Sequence, residues 1–266
     1  MYKIPANTVF MGKNLVFVPE CHSTNNLALQ LCQQRATSDG TIIITSNQTA
    51  GRGQRGNTWY VEPGKNFTFS CILKPTFLAI KDQFHLNIIA SIAIHDYLIE
   101  KTNETIRIKW PNDVMVNDKK IAGILIENQI QGNSFSSCVV GIGLNMNQES
   151  FIIDTAISLF QLNHQVCDLE VELESLLHKL EARYLQLKSG KQNTLLADYL
   201  NVMYRRNELH TFVSNDLSFE GTIVGLDDLG RLKISTQNGE RVFGMKEIQY
   251  QSLRSVSSKT ETSGDL

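Results

Sequence analysis

Apolar residues recur along the chain in two periods, and the place where the period changes divides it. The β-branched run 41–46 and the apolar run 67–74 read as strands. Phe84, Ile88, Ile89, Ile92, Ala93 and Leu98 then recur at helical spacing and predict a largely buried helix over about 83–101. Residues 106–116 read as strand, break, strand, because Pro111 donates no hydrogen bond and restrains Trp110 to extended geometry. Asn117-Asp118-Lys119-Lys120 is a hairpin turn into the apolar strand 121–127, and 136–140 is a further strand that ends in the small residues of 141–147. Leu169, Leu173, Leu176, Leu177, Leu180, Tyr184 and Leu187 keep a helical stripe over 168–187, with Asp168 as cap and Gly190 as stop; a shorter helix over about 194–204 follows. Beyond it the pattern alternates at 210–213 and 219–224, with turn sequences at 225–230 and 237–240, and predicts a small SH3-like β domain. The expectation is an α+β chain with domains over 1–206 and 207–253 and a Ser/Thr-rich, charged, disordered tail over 254–266.

Composition narrows the function classes. A net charge of -2 and a pI near 6.3 provide no global basic field for nucleic acid, so any anion binding must be local. Cys21, Cys32, Cys71, Cys138 and Cys167 are odd in number and scattered, with no C-x-x-C pair, and read as packed, reduced thiols. No apolar run approaches the roughly 20 residues of a membrane span and the N-terminus lacks an apolar signal core, so the expected location is cytoplasmic, with no membrane partner.

The local anion site is the loop 48–59. Gly51, Gly53 and Gly56 allow consecutive amides to converge on phosphate or carboxylate oxygens, and Arg52 and Arg55 add planar forks of donors. Gln48 and Trp59 flank the loop with an amide and a stacking surface. The glycines satisfy G-x-G-x-x-G, but the dinucleotide reading fails because the turn-rich stretch 59–66 leads into a strand and not a helix. A loop of merely solvated arginines is the bland alternative.

Further candidates each have an ordinary explanation beside the chemical one. Ser23, Thr24 and Asn25 cap a helix, or offer donors and acceptors to a small amide-like group. Asn112 and Asp113 form an Asx-type turn, or hold a metal or a nucleotide hydroxyl. Lys120 is a solvated turn residue, or a point charge beside the room left by Ala122 and Gly123. Asn145 is a turn former or part of a close approach in 141–147.

In order, Ser23-Thr24-Asn25, the loop 51–59, Lys109-Trp110-Pro111-Asn112-Asp113, Lys120-Ile121-Ala122-Gly123, Gly141-Ile142-Gly143-Leu144-Asn145-Met146 and the terminal β domain make a chain that resembles the biotin protein ligases over nearly its whole length. The resemblance implies a mixed β-sheet catalytic domain of the biotin/lipoate-ligase type, followed by a small SH3-like β-barrel. It implies activation of biotin with ATP and Mg²⁺ to biotinyl-5'-AMP, then transfer to a lysine of a biotin carboxyl carrier protein. By similarity Ser23, Thr24, Asn25, Gln48, Gly51, Arg52, Gly53, Gln54, Lys120 and Gly123 would serve biotin. Arg55, Trp59, Asn112, Asp113, Lys120 and Asn145 would serve ATP, with Asp113 the carboxylate that would interact through the metal, directly or indirectly. Arg52 and Lys120 would be the catalytic cations. Gln54 and Asn57 stand where some members carry arginine, a less basic loop in which Arg55 would help to retain the adenylate. About twenty residues precede Ser23, too few for a helix-turn-helix domain, so the expectation is a ligase without DNA binding. The rivals are a lipoate or octanoyl ligase or transferase and a non-catalytic biotin sensor, and a homodimer through an exposed sheet edge is left open.

Overall fold

A computed structural model describes residues 2–34 and 37–251, with Arg55 described for its backbone alone. The tail expected over 254–266 lies outside the described residues. The chain divides into two compact units between Tyr204 and Arg205.

The first unit is built on a seven-stranded mixed sheet. In chain order its elements are β1 (Leu15–Cys21), α1 (Thr24–Gln33), β2 (Thr41–Gln48), β3 (Phe67–Leu73), α2 (Phe84–Leu98), β4 (Ile106–Lys109), β5 (Asp113–Val116), β6 (Lys119–Gln131), β7 (Ser134–Leu144), α3 (Leu159–Asn163), α4 (Leu169–Lys188) and α5 (Gln192–Asn201). The strand order is β1-β2-β3-β7-β6-β5-β4, with β1 parallel to β2 and every other pair antiparallel.

One residue row crosses this sheet and explains its use. Thr68 on β3 pairs with Gly143 on β7, Gly143 with Gly123 on β6, Gly123 with Asp113 on β5, and Asp113 with Lys109 on β4. Side chains two residues apart share a face, so Ser70, Gly141 and Leu125 lie on the same face in the next such row. Farther along that face, Ile72 and Val139 pack with Ala28 of α1 and Ile43 in a fully buried cluster. Helix α1 therefore covers one end of the face and leaves the glycine end to the loops. The other face carries Phe67, Phe69, Ile142, Ile124 and Ala122, all buried.

Helix α2 is buried on nearly all sides, as its apolar content predicts, and packs against both α4 and α5. Arg183 of α4 ties the three helices together, with Nε on Asp96 and Nη1 on Asp198, each at 2.7 Å. Burial pushes the Asp96 carboxyl up, but hydrogen bonds from His95 and Arg183 and their charges outweigh it and hold the group below the ordinary carboxylate range. Glu181, also on α4 and 3% exposed, takes the backbone N–H groups of Val9, Phe10 and Met11 at 2.8, 2.8 and 2.9 Å. Glu174, two turns earlier on the same helix, takes those of Ala6 and Asn7. The five cysteines are free, and burial pushes the thiols of Cys71 and Cys138 well up.

The hairpin expected at 117–120 is present, with Asn117 and Asp118 at φ 48° and 65°, the left-handed pair that a two-residue connection requires. Two expectations change. Gly141 and Gly143 are inside β7 and not beyond its end, because β3 and β6 hydrogen-bond them from both sides. The Trp110–Pro111 peptide at the expected break is cis.

The second unit is a five-stranded antiparallel sheet of β8 (Leu209–Ser214), β9 (Leu217–Leu226), β10 (Leu232–Thr236), β11 (Gly239–Phe243) and β12 (Gln249–Tyr250), in the order β11-β10-β9-β8-β12. Phe212, Ile223, Leu232, Ile234 and Phe243 form its buried side. Among the described residues the pairings run from β11 to β12 without a bond between those two edges.

Candidate active site

The N-terminus of α1 meets the end of β2 over Ser70. Ser23 is the N-cap residue, yet its side chain makes no capping bond, so capping does not use up its hydroxyl. The Thr24 backbone N–H and hydroxyl both donate to Gln48 Oε1, at 2.8 and 3.2 Å. The Ser70 hydroxyl donates to Asn25 Oδ1 at 2.6 Å and lies 2.8 Å from Thr24 Oγ1. Asn25 in turn donates through Nδ2 to Leu125 O and to Glu127 Oε2, at 3.1 and 2.8 Å. A Cβ at Gly141 would stand 2.2 Å from Asn25 Oδ1, so glycine there is what lets the amide reach the sheet. Ser23, Thr24, Asn25 and Gln48 therefore come together as the sequence predicts. Ser70 and Glu127 complete the set and went unread.

The glycine loop leaves β2 at Gln48 and returns on itself. Arg52 and Thr58 form an antiparallel bridge, Gly53 N–H bonds Asn57 O at 2.6 Å, and residues 54–56 make one 3-10 turn. A Cβ at Gly51 would stand 2.9 Å from Gln48 Nε2, so Gly51 lies beside the polar set, and Gly53 and Gln54 follow it into the turn; the Arg55 side chain lies outside what is described. Arg52 Nη2 sits 2.5 Å from Glu127 Oε2, so its guanidinium is held at the polar end. Trp59, at the far end of the loop, lays its indole on the glycine floor. A Cβ at Gly143 would meet the indole ring at 2.2–2.6 Å, and one at Gly123 would meet it at 3.0 Å. The room that the sequence reading assigns above Gly123 is thus taken by Trp59, whose Nε1 is buried without a hydrogen-bond partner.

Lys120 stands at the edge of the same floor. Its Nζ is 2.6 Å from Asp113 Oδ1, 5.3 Å from the Trp59 ring centroid and 3.1 Å from where a Gly123 Cβ would be. The chain beyond β7 returns to fix it: Lys120 N–H donates to Thr155 O and Lys120 O accepts from Ile157 N–H, at 2.7 and 3.0 Å. The sequence reading had no signal for that return. Asn112 ties the turn to β6, its Nδ2 donating to Ile124 O at 2.7 Å, a bond that leaves Oδ1 uncommitted by it. Asn145 uses Nδ2 on Ile157 O at 2.9 Å, but its Oδ1 is buried with no partner, an acceptor available to a ligand. Asp113 and Asn145 lie at opposite ends of β6's glycine segment, through Gly123 and through the bond from Asn145 N–H to Ile121 O.

The arrangement presents two cations, Arg52 and Lys120, from different elements along the glycine stretch of the sheet that Trp59 covers, with a cluster of amide and hydroxyl side chains at one end. The model of the biotin/lipoate A/B protein ligase family matches residues 18–145, the span that holds every candidate side chain above. The bifunctional ligase/repressor BirA of Bacillus spizizenii is 30% identical over 248 residues, covering 91% of this chain and 75% of that protein. The chain belongs to the biotin/lipoate A/B protein ligase family. A second relative from the biotin side of this ligase family, the biotin–acetyl-CoA-carboxylase ligase of Mycobacterium tuberculosis, is 31% identical over 228 residues, 83% of this chain and 82% of that one. The ligase fold is matched by the biotin protein ligase of Aquifex aeolicus in complex with biotin and ATP, with a TM-score of 0.76 at 24% identity, covering 90% of this chain and 100% of that chain.

Proposed function

We propose that this ligase joins biotin to a carrier lysine in two steps. A biotin carboxylate oxygen attacks the α-phosphorus of ATP, the bond to the β-phosphate oxygen breaks, and pyrophosphate leaves. The carrier's lysine amine then attacks the acyl carbon of biotinyl-5'-AMP, AMP leaves, and an amide forms. The observation that carries this reading is the placement of Arg52 and Lys120 along one glycine floor that starts at the Thr24–Gln48–Asn25 set. A fused ureido ring needs several donors and acceptors, which that set and Ser23 supply, whereas a dithiolane or alkyl chain needs an apolar slot.

Each residue then has a task. Ser23, Thr24, Asn25 and Gln48 receive the ring, Gly51, Arg52, Gly53 and Gln54 close over it, and Gly123 leaves room for the body. Lys120 bridges the carboxylate and the α-phosphate, offsetting charge that builds as the two anions meet. Trp59, Asn112, Asp113 and Asn145 form the ATP side, with Asn145 Oδ1 free to accept. Among the described residues no three metal-binding side chains cluster. Asp113 would hold Mg²⁺, which commonly rests on phosphate oxygens with one or two carboxylates. Mg²⁺ held there would supply positive charge against the phosphate oxygens. Trp59 must leave the floor when biotin arrives and then serves as a wall that keeps water from the mixed anhydride.

The substrate of the second step is a biotin carboxyl carrier protein, as the name of the Mycobacterium tuberculosis relative suggests. No helix among the described residues is long and apolar enough to cross a membrane. A cytoplasmic site of action, a catalytic domain over 1–206 and a small β domain over 207–253 are part of the same proposal. A homodimer would use the stretch of β6 past Ile124, which pairs with β7 alone among the described residues.

Single-turnover formation of adenylate and pyrophosphate with biotin or lipoate plus MgATP tests the reading. Biotin alone should support it. Turnover with lipoate and not biotin would establish a lipoate ligase, and binding of biotin without pyrophosphate release would establish a sensor.

A further inference from the structure

Glu127 has no part in the reaction as derived so far, yet it is where the two halves of the polar end meet. It lies on β6 four residues past Gly123 and on the same face. One of its oxygens, Oε2, takes both Arg52 Nη2 at 2.5 Å and Asn25 Nδ2 at 2.8 Å. From Asn25 the bonds run on to Ser70, Thr24 and Gln48. A carboxylate on an alternating strand is ordinarily a solvated residue, but here it is engaged from the glycine loop and from α1 at once, and its side chain is 27% exposed.

We propose that Glu127 is a positioning residue for adenylate formation, fixing the Arg52 guanidinium to the same hydrogen bonds that build the ring-binding end. This rests on the ligase reading above. Arg52 stands between Gly51 and Gly53, on backbone that by itself leaves a long side chain undirected. Anchoring one Nη to a carboxylate sets the plane of the fork, while a guanidinium has five N–H donors, so others remain to meet an α-phosphate oxygen. A carboxylate suits the post because it only accepts: an amide would turn donors of its own toward Arg52 or Asn25. The ring end and the phosphate end are thereby aligned before either ligand binds, which is how a site lowers the cost of orientation during reaction.

The test uses the full chain with Glu127→Gln, Glu127→Asp, Arg52→Ala and the Glu127→Gln/Arg52→Ala pair. The readouts are single-turnover adenylate formation, the biotin KM and thermal melting. Glu127→Gln should slow adenylate formation roughly 10-fold with the biotin KM within about twofold of wild type. Glu127→Asp, which keeps the charge, should recover part of that loss. In the Arg52→Ala background Glu127→Gln should cost nothing more, because the residue acts through the arginine. An unchanged or faster rate, an equal loss in both backgrounds, or a rise in KM accompanied by a lowered melting temperature would overturn the proposal. If Glu127→Gln does not fold, Glu127→Asp in the two backgrounds decides by the same comparison. A wild-type chain that forms no adenylate from biotin would instead remove the ligase reading.

Discussion

The two ends of the glycine floor differ in how completely their polar atoms are matched. At the α1 end, Gln48, Thr24, Ser70, Asn25, Glu127 and Arg52 form one connected chain of hydrogen bonds. At the β5 end, Trp59 Nε1 and Asn145 Oδ1 are buried and unmatched, and Lys120 divides itself between Asp113 and an indole face. A matched network is stiff, and an unmatched buried atom marks a place that a ligand or a rearrangement would improve. Under the proposed function, the end that would receive the ring is built in advance, while the end that would receive the nucleotide is held by a placeholder.

The sharpest way to break this contrast is to remove the cation of the unmatched end, Lys120. Lys120→Ala should lower single-turnover adenylate formation by roughly 10³-fold with little change in melting temperature, since the side chain is one-third exposed. Damage to the matched end should look different. Gly141→Ala places a Cβ against Asn25 Oδ1, so biotin affinity should fall about 30-fold and stability should fall by about 2 kcal/mol, read by isothermal titration and by urea unfolding.

Fluorescence sharpens the contrast without breaking anything. Trp59 and Trp110 are the two tryptophans, and Trp110 is 3% exposed. Biotin with ATP should change the emission of wild type and leave that of Trp59→Phe unchanged. An equal change in both would show that the indole stays where it is.

The smallest effect is a control remote from both ends. Asp96 has a lower pKa folded than unfolded, where a free carboxyl titrates near 4. The stability it contributes with Arg183 is therefore full above about pH 4–5 and is lost as the pH falls through the folded value. Arg183→Ala should cost about 2 kcal/mol at pH 7 and progressively less as the pH falls through the lowered Asp96 value, with adenylate chemistry at pH 7 unchanged.

Much of the fold was legible, and the failures have physical causes. Asn117-Asp118 announced their hairpin because few residues tolerate two left-handed positions in a row. Strand β1 passed unread: Pro19 within it argues against a strand, and it is tolerated because β1 is the sheet's edge. The glycines of β7 read as a strand end because glycine is a poor strand former, and pairing on both sides overrode that preference. In the site, residue types with unusual roles stood out, namely the loop glycines, Arg52 and Lys120. Glu127 did not, since on a strand it looks like any solvated acid until Asn25, a hundred positions away, is brought to it. The seat of Trp59 on Gly143 is likewise a contact between distant segments that no local pattern encodes.

The clasp of α4 on the N-terminal arm carries a lesson about which residues are free to drift. Glu174 and Glu181 grip five main-chain N–H groups, those of Ala6, Asn7, Val9, Phe10 and Met11. What they recognise is the peptide backbone, common to nineteen amino acids, and so the two acids put little constraint of their own on the letters written along the arm. Only proline at one of those five places would loosen the clasp, by leaving the carboxylate nothing to take hold of.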